Sequence, residues 1–241
     1  MTKPLLPNPY RRLLVPVYVP SFLMAVSQDA LLVLLPLYIL EAGFGPAFAA
    51  FVIGLRGIGV LLFDIPAGKL VMRFGERAAL LIGLIAAIAG FVLLAASGSL
   101  LTICTAAVLF GIGFASWMLG RQSYIAATCE PAETGRAIAV MAGIQRGGAF
   151  VGPLLGGLIA QFSGYNAAFM VCAVLAVIAG VVVFYFAEKI HYDVTPAARE
   201  QSTLAVIREH RNIFATAGVA AMALQLMRAT RQLLVPLFGQ A

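Results

Sequence analysis

Long apolar runs separated by short polar breaks make up most of this chain. Seven runs stand out, at roughly 13–40, 47–69, 78–97, 99–120, 137–162, 166–188 and 212–238. Each reaches or exceeds the roughly 20 residues that a helix needs to cross the hydrocarbon of a bilayer. The breaks carry turn chemistry: Glu41-Ala-Gly-Phe-Gly-Pro46, Gly68 to Arg77, Ser97-Gly-Ser99, Glu130 to Arg136 and Ser163-Gly-Tyr-Asn166. Runs of this length without period-two alternation exclude a closed β-barrel. The longest polar stretch, Glu188 to Arg211, holds both histidines, His191 and His210, and reads as a partly helical linker. The pattern therefore predicts an all-α integral membrane protein. Residues 1–190 form a six-helix bundle, 191–211 a cytoplasmic linker, and 212–241 the first helix of a second bundle.

Composition agrees with this pattern. Hydrophobic residues make up 62% of the chain and charged residues only 11%, against about 25% charged in soluble domains. Lipid is the solvent that accepts such a surface. The net charge of +6 reports topology rather than an acidic partner. Counted from a cytoplasmic amino terminus, the inner segments hold Lys3, Arg11, Arg12, Lys69, Arg73, Arg77, Arg121, Arg136, Lys189, Arg199, Arg208 and Arg211. The outer breaks near 41–47, 97–99 and 163–166 hold no Lys or Arg. This asymmetry is the positive-inside rule at work. It predicts a multi-pass protein of the cell (inner or plasma) membrane and removes nucleic acid as a partner. The basic lead and the long apolar run behind it lack the form of a cleavable signal peptide. Cys104, Cys129 and Cys172 are scattered, without disulfide or metal spacing.

A short internal match points to a repeated architecture. Leu34-Leu35-Pro36-Leu37-Tyr38 in the first run is echoed by Leu234-Val235-Pro236-Leu237-Phe238 in the seventh, 200 residues later. Transporters built from two bundles around a central path show such repeats. If the repeat is real, five further helices belong to the protein, and this chain is a fragment of a twelve-helix transporter.

Two loops and one helix carry a resemblance to the major facilitator superfamily. The segment Asp64-Ile-Pro-Ala-Gly68-Lys-Leu-Val-Met-Arg73-Phe-Gly75-Glu-Arg77 is similar to that family's motif A, G-x-L-a-D-R-x-G-r-k. Gly68, Leu70, Arg73, Gly75 and Arg77 match; Met72 stands where the motif has Asp, and Glu76 replaces a basic residue. The resemblance implies a cytoplasmic gate closed by charge contacts, with Asp64 paired to Arg121 or Arg73. Gly148-Ala-Phe-Val-Gly152-Pro153-Leu-Leu-Gly156-Gly157 resembles motif C, which is characteristic of the family's proton-coupled antiporters. Its glycines at every fourth position permit close approach of a neighbouring helix, and Pro153 removes a backbone donor. Gly135-Arg136-Ala is similar to the family's usual opening of helix five. The arginine of motif B is absent, and Ala107 occupies its place ahead of Gly111. The resemblance implies a secondary transporter of small molecules, with protons as the coupling ion and no cofactor.

Charges inside the runs are the candidate chemistry, since a charge at mid-membrane costs roughly 2.5–3.5 kcal/mol on insertion scales. By helical rise, Asp29 lies about 24 Å along the first helix from its inner end, and Arg56 about 13 Å into the second from its outer end. These depths are compatible with an ion pair. Arg146 lies about 13 Å into the fifth helix, shortly before Pro153. Gln145 beside it and Arg228 in the seventh run complete the candidate substrate or proton pathway. For each charge a structural pair or a snorkelling side chain is the competing reading.

Enzyme chemistry finds little support. The apolar runs contain no histidine, and no phosphate-binding glycine loop with its lysine occurs. An ion gradient is the expected energy source. Three functions remain: proton-coupled export of small amphipathic molecules, import or symport of a metabolite or organic anion held by Arg146 and Arg228, and a membrane receptor or scaffold that transports nothing.

Overall fold

A computed structural model of the chain describes residues 12–96 and 98–188, together with Thr216, Val219 and Ala223. The chain divides into two compact units, Met1–Tyr192 and Asp193–Ala241. In the second unit the three described residues are helical. The remainder of the span expected at 212–238, with Arg228, and the linker lie outside the described residues.

The first unit is an all-α bundle. Helix α1 (Val19–Glu41) is opened by a π turn, Leu14–Tyr18, in a segment where Pro16 and Pro20 remove backbone donors. A Schellman turn ends it. The Phe44 N–H reaches the Ile39 carbonyl at 3.1 Å and the Gly43 N–H reaches Leu40 at 3.1 Å, with Gly43 at φ 86. Helix α2 (Pro46–Phe74) starts on proline at its first position. It stops at Gly75, whose φ of 83 breaks the helix while its N–H still bonds Val71 at 2.8 Å. Helix α3 (Glu76–Ala96) follows at once, and α4 (Leu100–Thr128) is capped by the Ser99 hydroxyl accepting from the Thr102 N–H. A helical rod, Pro131–Phe186, completes the unit. Its 56 residues are far more than one crossing needs, and Gly164 inside it sits at φ 83 and ψ 167. We therefore treat it as α5 (131–163) and α6 (165–186). The break falls within the turn predicted at Ser163 to Asn166.

Packing groups these helices into two trios. Helix α4 takes both α2 and α3, while α1 packs chiefly on the α5–α6 rod; α3 also meets that rod. Tyr38 joins the trios at the end opposite the α2–α3 loop. Its hydroxyl donates to the Leu94 carbonyl at 3.2 Å, and its ring meets Phe169 edge-on at 5.2 Å. Outward faces stay apolar: Phe51, Leu61, Leu62, Phe150, Leu154 and Phe162 are all exposed. In water these would be an aggregation surface; in a bilayer they are the lipid-facing surface or face further helices.

Candidate transport site

Glycine decides how closely the helices approach. A Cβ built on Gly148 would collide with the Ala25 side chain, and one on Gly152 with the Val26 carbonyl and the Ala30 nitrogen. One on Gly156 would lie 3.0 Å from the Ala30 Cβ and 3.1 Å from Leu34 Cδ1. The three glycines spaced by four therefore form the face that meshes α5 with α1, and all three are buried. Gly157 has nothing within 4 Å and lies outside the seam. Pro153 follows Gly152 on this helix and is half-buried.

A second seam, not read from the sequence, joins α2 to α4. A Cβ on Gly111 would strike the Arg56 carbonyl and come within 2.8 Å of the Gly59 Cα. The seam brings the Arg56 guanidinium over the Phe114 ring at 5.6 Å. Asp29, on α1, is half-buried and lies in electrostatic reach of Arg56. The two form no ion pair: Arg56 turns to the aromatic ring, and its buried Nε has no hydrogen-bond partner among the described residues. Asp29 is thus left as a carboxylate in mid-helix that feels a cation without being neutralised by contact.

Arg121 is placed differently from the expectation. Rather than standing in the gate loop to meet Asp64, it is fully buried in α4, at 1% exposure. With the Gln145 amide turned to suit its surroundings, Gln145 Oε1 accepts from Arg121 Nη1 at 3.0 Å and Nη2 at 3.2 Å. Nη2 also faces the Met118 sulfur, and Nε is unpartnered among the described residues. This bond spans α4 and α5, which otherwise touch little. A guanidinium so buried, with an amide as its chief acceptor, is an uncompensated cation. Arg146, the next residue after Gln145, takes no part in this bond and is exposed.

The segment expected as a gate loop is almost wholly helical: Asp64, Gly68 and Arg73 lie in α2 and Arg77 in α3, with Gly75 alone between them. Asp64 is exposed and makes no ion pair among the described residues, and Arg73 lies over the Phe74 ring at 5.3 Å. Gly68 is loosely placed: a Cβ added there would lie 3.8 Å from the Leu119 side chain. Gly75 supplies the turn. Arg77 reaches across to α6, where its Nη2 donates to the Phe184 carbonyl and its guanidinium covers the Phe184 ring at 4.9 Å. Glu76 is buried at 1% exposure with neither carboxylate oxygen hydrogen-bonded among the described residues. Nothing in its position in a polar loop announced that burial.

The sequence profile of the Major Facilitator Superfamily matches residues 17–240. The chain belongs to that superfamily. Its members are membrane transporters and not enzymes. Among curated members, the tetracenomycin C resistance and export protein of Streptomyces glaucescens is 32% identical over 126 residues, covering 49% of this chain and 23% of that protein. Multidrug resistance protein MdtH of Aeromonas hydrophila is 27% identical over 165 residues, covering 62% of this chain and 42% of MdtH. Two solved transporter structures superpose well. A peptide transporter POT in complex with sulfate gives a TM-score of 0.68 at 18% identity, over 93% of this chain and 47% of that one. A POT family transporter in complex with a thioalcohol conjugated peptide gives 0.69 at 17% identity, over 92% and 47%. At these identities the likeness is one of fold. The chain spans less than half the length of each of these proteins.

Proposed function

We propose that this chain is the amino-terminal part of a secondary transporter that exports small amphipathic molecules in exchange for protons. The six-helix unit at 1–190 would be one bundle of an alternating-access machine with a cytoplasmic amino terminus, followed in the chain by the linker at 191–211 and the first helix of a second bundle at 212–241. The observation that carries this reading is the meshed seam of α5 on α1 at Gly148, Gly152 and Gly156, with Asp29 one residue before Ala30 in that seam. The glycine pattern is the one that resembles the superfamily's antiporters, and two of its curated relatives are named for export or multidrug resistance. Asp29 is the residue we assign to the proton. It is half-buried, free of an ion pair with Arg56 and within that residue's electrostatic reach, so proton and cationic substrate would compete for one negative charge. Ala107 leaves α4 without the motif B arginine, and the guanidinium that α4 does meet is that of Arg56, over Phe114.

One observation favours a second reading. Arg121 is buried with no carboxylate partner among the described residues and Arg146 is exposed, and arginine forks suit carboxylate or phosphate groups. A symporter of an organic anion would use these two arginines.

Accumulation of a fluorescent lipophilic cation separates the two. The complete reading frame is expressed in bacteria lacking their main efflux pumps, with and without a protonophore. Lower accumulation that the protonophore abolishes, and that Asp29→Asn also abolishes, supports proton-driven export. Unchanged accumulation with the protein present in the membrane would overturn it in favour of the anion symporter.

A further inference from the structure

The last turn of α6 is held by two other helices at the point where the chain leaves the bundle. Arg77, the second residue of α3, donates from Nη2 to the Phe184 carbonyl and stacks its guanidinium on the Phe184 ring at 4.9 Å. Tyr124, near the end of α4 and 3% exposed, accepts from the Glu188 N–H at 3.2 Å through its hydroxyl. A cation at the carbonyl end of a helix also meets the favourable end of its macrodipole. Glu188 opens the polar stretch that runs on to the second unit. Residues 184–188 are thus tied to the start of α3 by Arg77 and to α4 by a buried phenol.

From this geometry we infer that Arg77 is a positioning residue. It couples the first turn of α3, just past the Gly75 turn, to the α6 exit, so that loosening either one loosens the other. The contact lies within one unit: an arginine in the first turn of α3 grips the last turn of α6. The inference goes beyond the proposed function, and it holds for export and import alike because neither substrate nor proton enters it. Glu76 and Tyr124 are the neighbouring groups, and both are buried.

Amide hydrogen exchange of the complete protein in lipid nanodiscs tests this without any substrate. In Arg77→Ala, exchange at Ala187 and Glu188 should quicken about fivefold, the factor expected for one net hydrogen bond. Arg77→Lys, which keeps a donor, should restore part of that protection. Tyr124→Phe should speed Glu188 and, through Arg77, also speed Gly75 and Ala79 by about twofold, the lower range for coupled neighbours. In the Arg77→Ala background, Tyr124→Phe should no longer move Gly75 or Ala79. Unchanged exchange at residues 187 and 188 in Arg77→Ala would remove the tie. Gly75 and Ala79 unmoved by Tyr124→Phe in the otherwise native protein would reduce Arg77 to a local cap and overturn the coupling. Arg77→Lys and Tyr124→Phe keep the test decisive should Arg77→Ala not fold.

Discussion

Adding a single methyl group at Gly152 and at Gly157 should change stability in opposite directions, although the two lie on one helix five residues apart. At Gly152 a Cβ would collide with the Val26 carbonyl and sit 2.9 Å from the Ala30 nitrogen and 3.2 Å from the Val26 carbonyl carbon. All three are backbone atoms, so no side chain can swing aside. Comfortable carbon contacts lie near 3.5–4.0 Å, so α5 would have to back away from α1 by roughly 1 Å along the seam. Overpacking of this kind costs about 1–3 kcal/mol, and a backbone-on-backbone clash belongs at the upper end. At Gly156 the clash is with the Ala30 Cβ and the end of the Leu34 side chain, which can rotate, so its cost belongs at the lower end. Gly157 has nothing within 4 Å, so alanine there should stabilise the helix by roughly 0.5–1 kcal/mol through lost backbone freedom in the unfolded chain. The assay is equilibrium unfolding of the full-length protein in mixed micelles, followed by far-UV circular dichroism, with three single alanine variants beside the wild type. The expected order of stability is Gly157→Ala, wild type, Gly156→Ala, Gly152→Ala. If Gly157→Ala costs as much as Gly152→Ala, the α1–α5 seam is not where these glycines act.

Other contacts give further expectations. Gln145→Leu should destabilise the bundle by about 2 kcal/mol by stripping Arg121 of its main acceptor, whereas adding Arg121→Met should recover most of that loss; a double-mutant cycle in the same unfolding assay checks it. Tyr38→Phe removes the hydroxyl bond to Leu94 and should cost about 1 kcal/mol in that assay, leaving the edge-on contact with Phe169 intact. Cys129, just past α4, has its thiol pushed up by burial and further by the charge of Glu133. Alkylation needs the thiolate, which a raised pKa confines to higher pH. Cys129 should therefore react more slowly than glutathione at pH 8, catch up only in more alkaline buffer, and speed up in Glu133→Gln.

Spans and seams differ in how openly the sequence shows them. The helices of the first unit are legible because the first five apolar runs end near glycine, proline or serine, and the turn predicted at Ser163 to Asn166 holds Gly164, where the helical rod breaks. The α5 face is legible because Gly148, Gly152 and Gly156 repeat at helical spacing. The α2–α4 seam is not, because Gly59 and Gly111 lie on different helices and no spacing within either announces the partner. Gly113 against Gly83 on α3 escapes for the same reason. Charges are harder still. Arg121 reads as a loop residue by its distance from the predicted helix end at 120, yet α4 runs on to Thr128 and carries it inside. Asp29 and Arg56 lie within electrostatic reach of one another, as their matching depths imply, but depth does not fix rotation about the helix axis, and Arg56 faces Phe114. Glu76 reads in the sequence as a substitution in a motif. Its burial depends on how closely α3 and α4 pack around Gly120, where a Cβ would meet Glu76's own carbonyl at 3.2 Å.

Proton-coupled export is most directly measured in everted membrane vesicles carrying the complete protein. A pH-sensitive dye follows the interior acidified by respiration, and a lipophilic cation is then added. Export in exchange for protons predicts an alkaline dye response to the cation in the wild type and none in Asp29→Asn, at equal amounts of protein in the membrane. A full response in Asp29→Asn would show that the proton is carried elsewhere and would contradict the role assigned to Asp29.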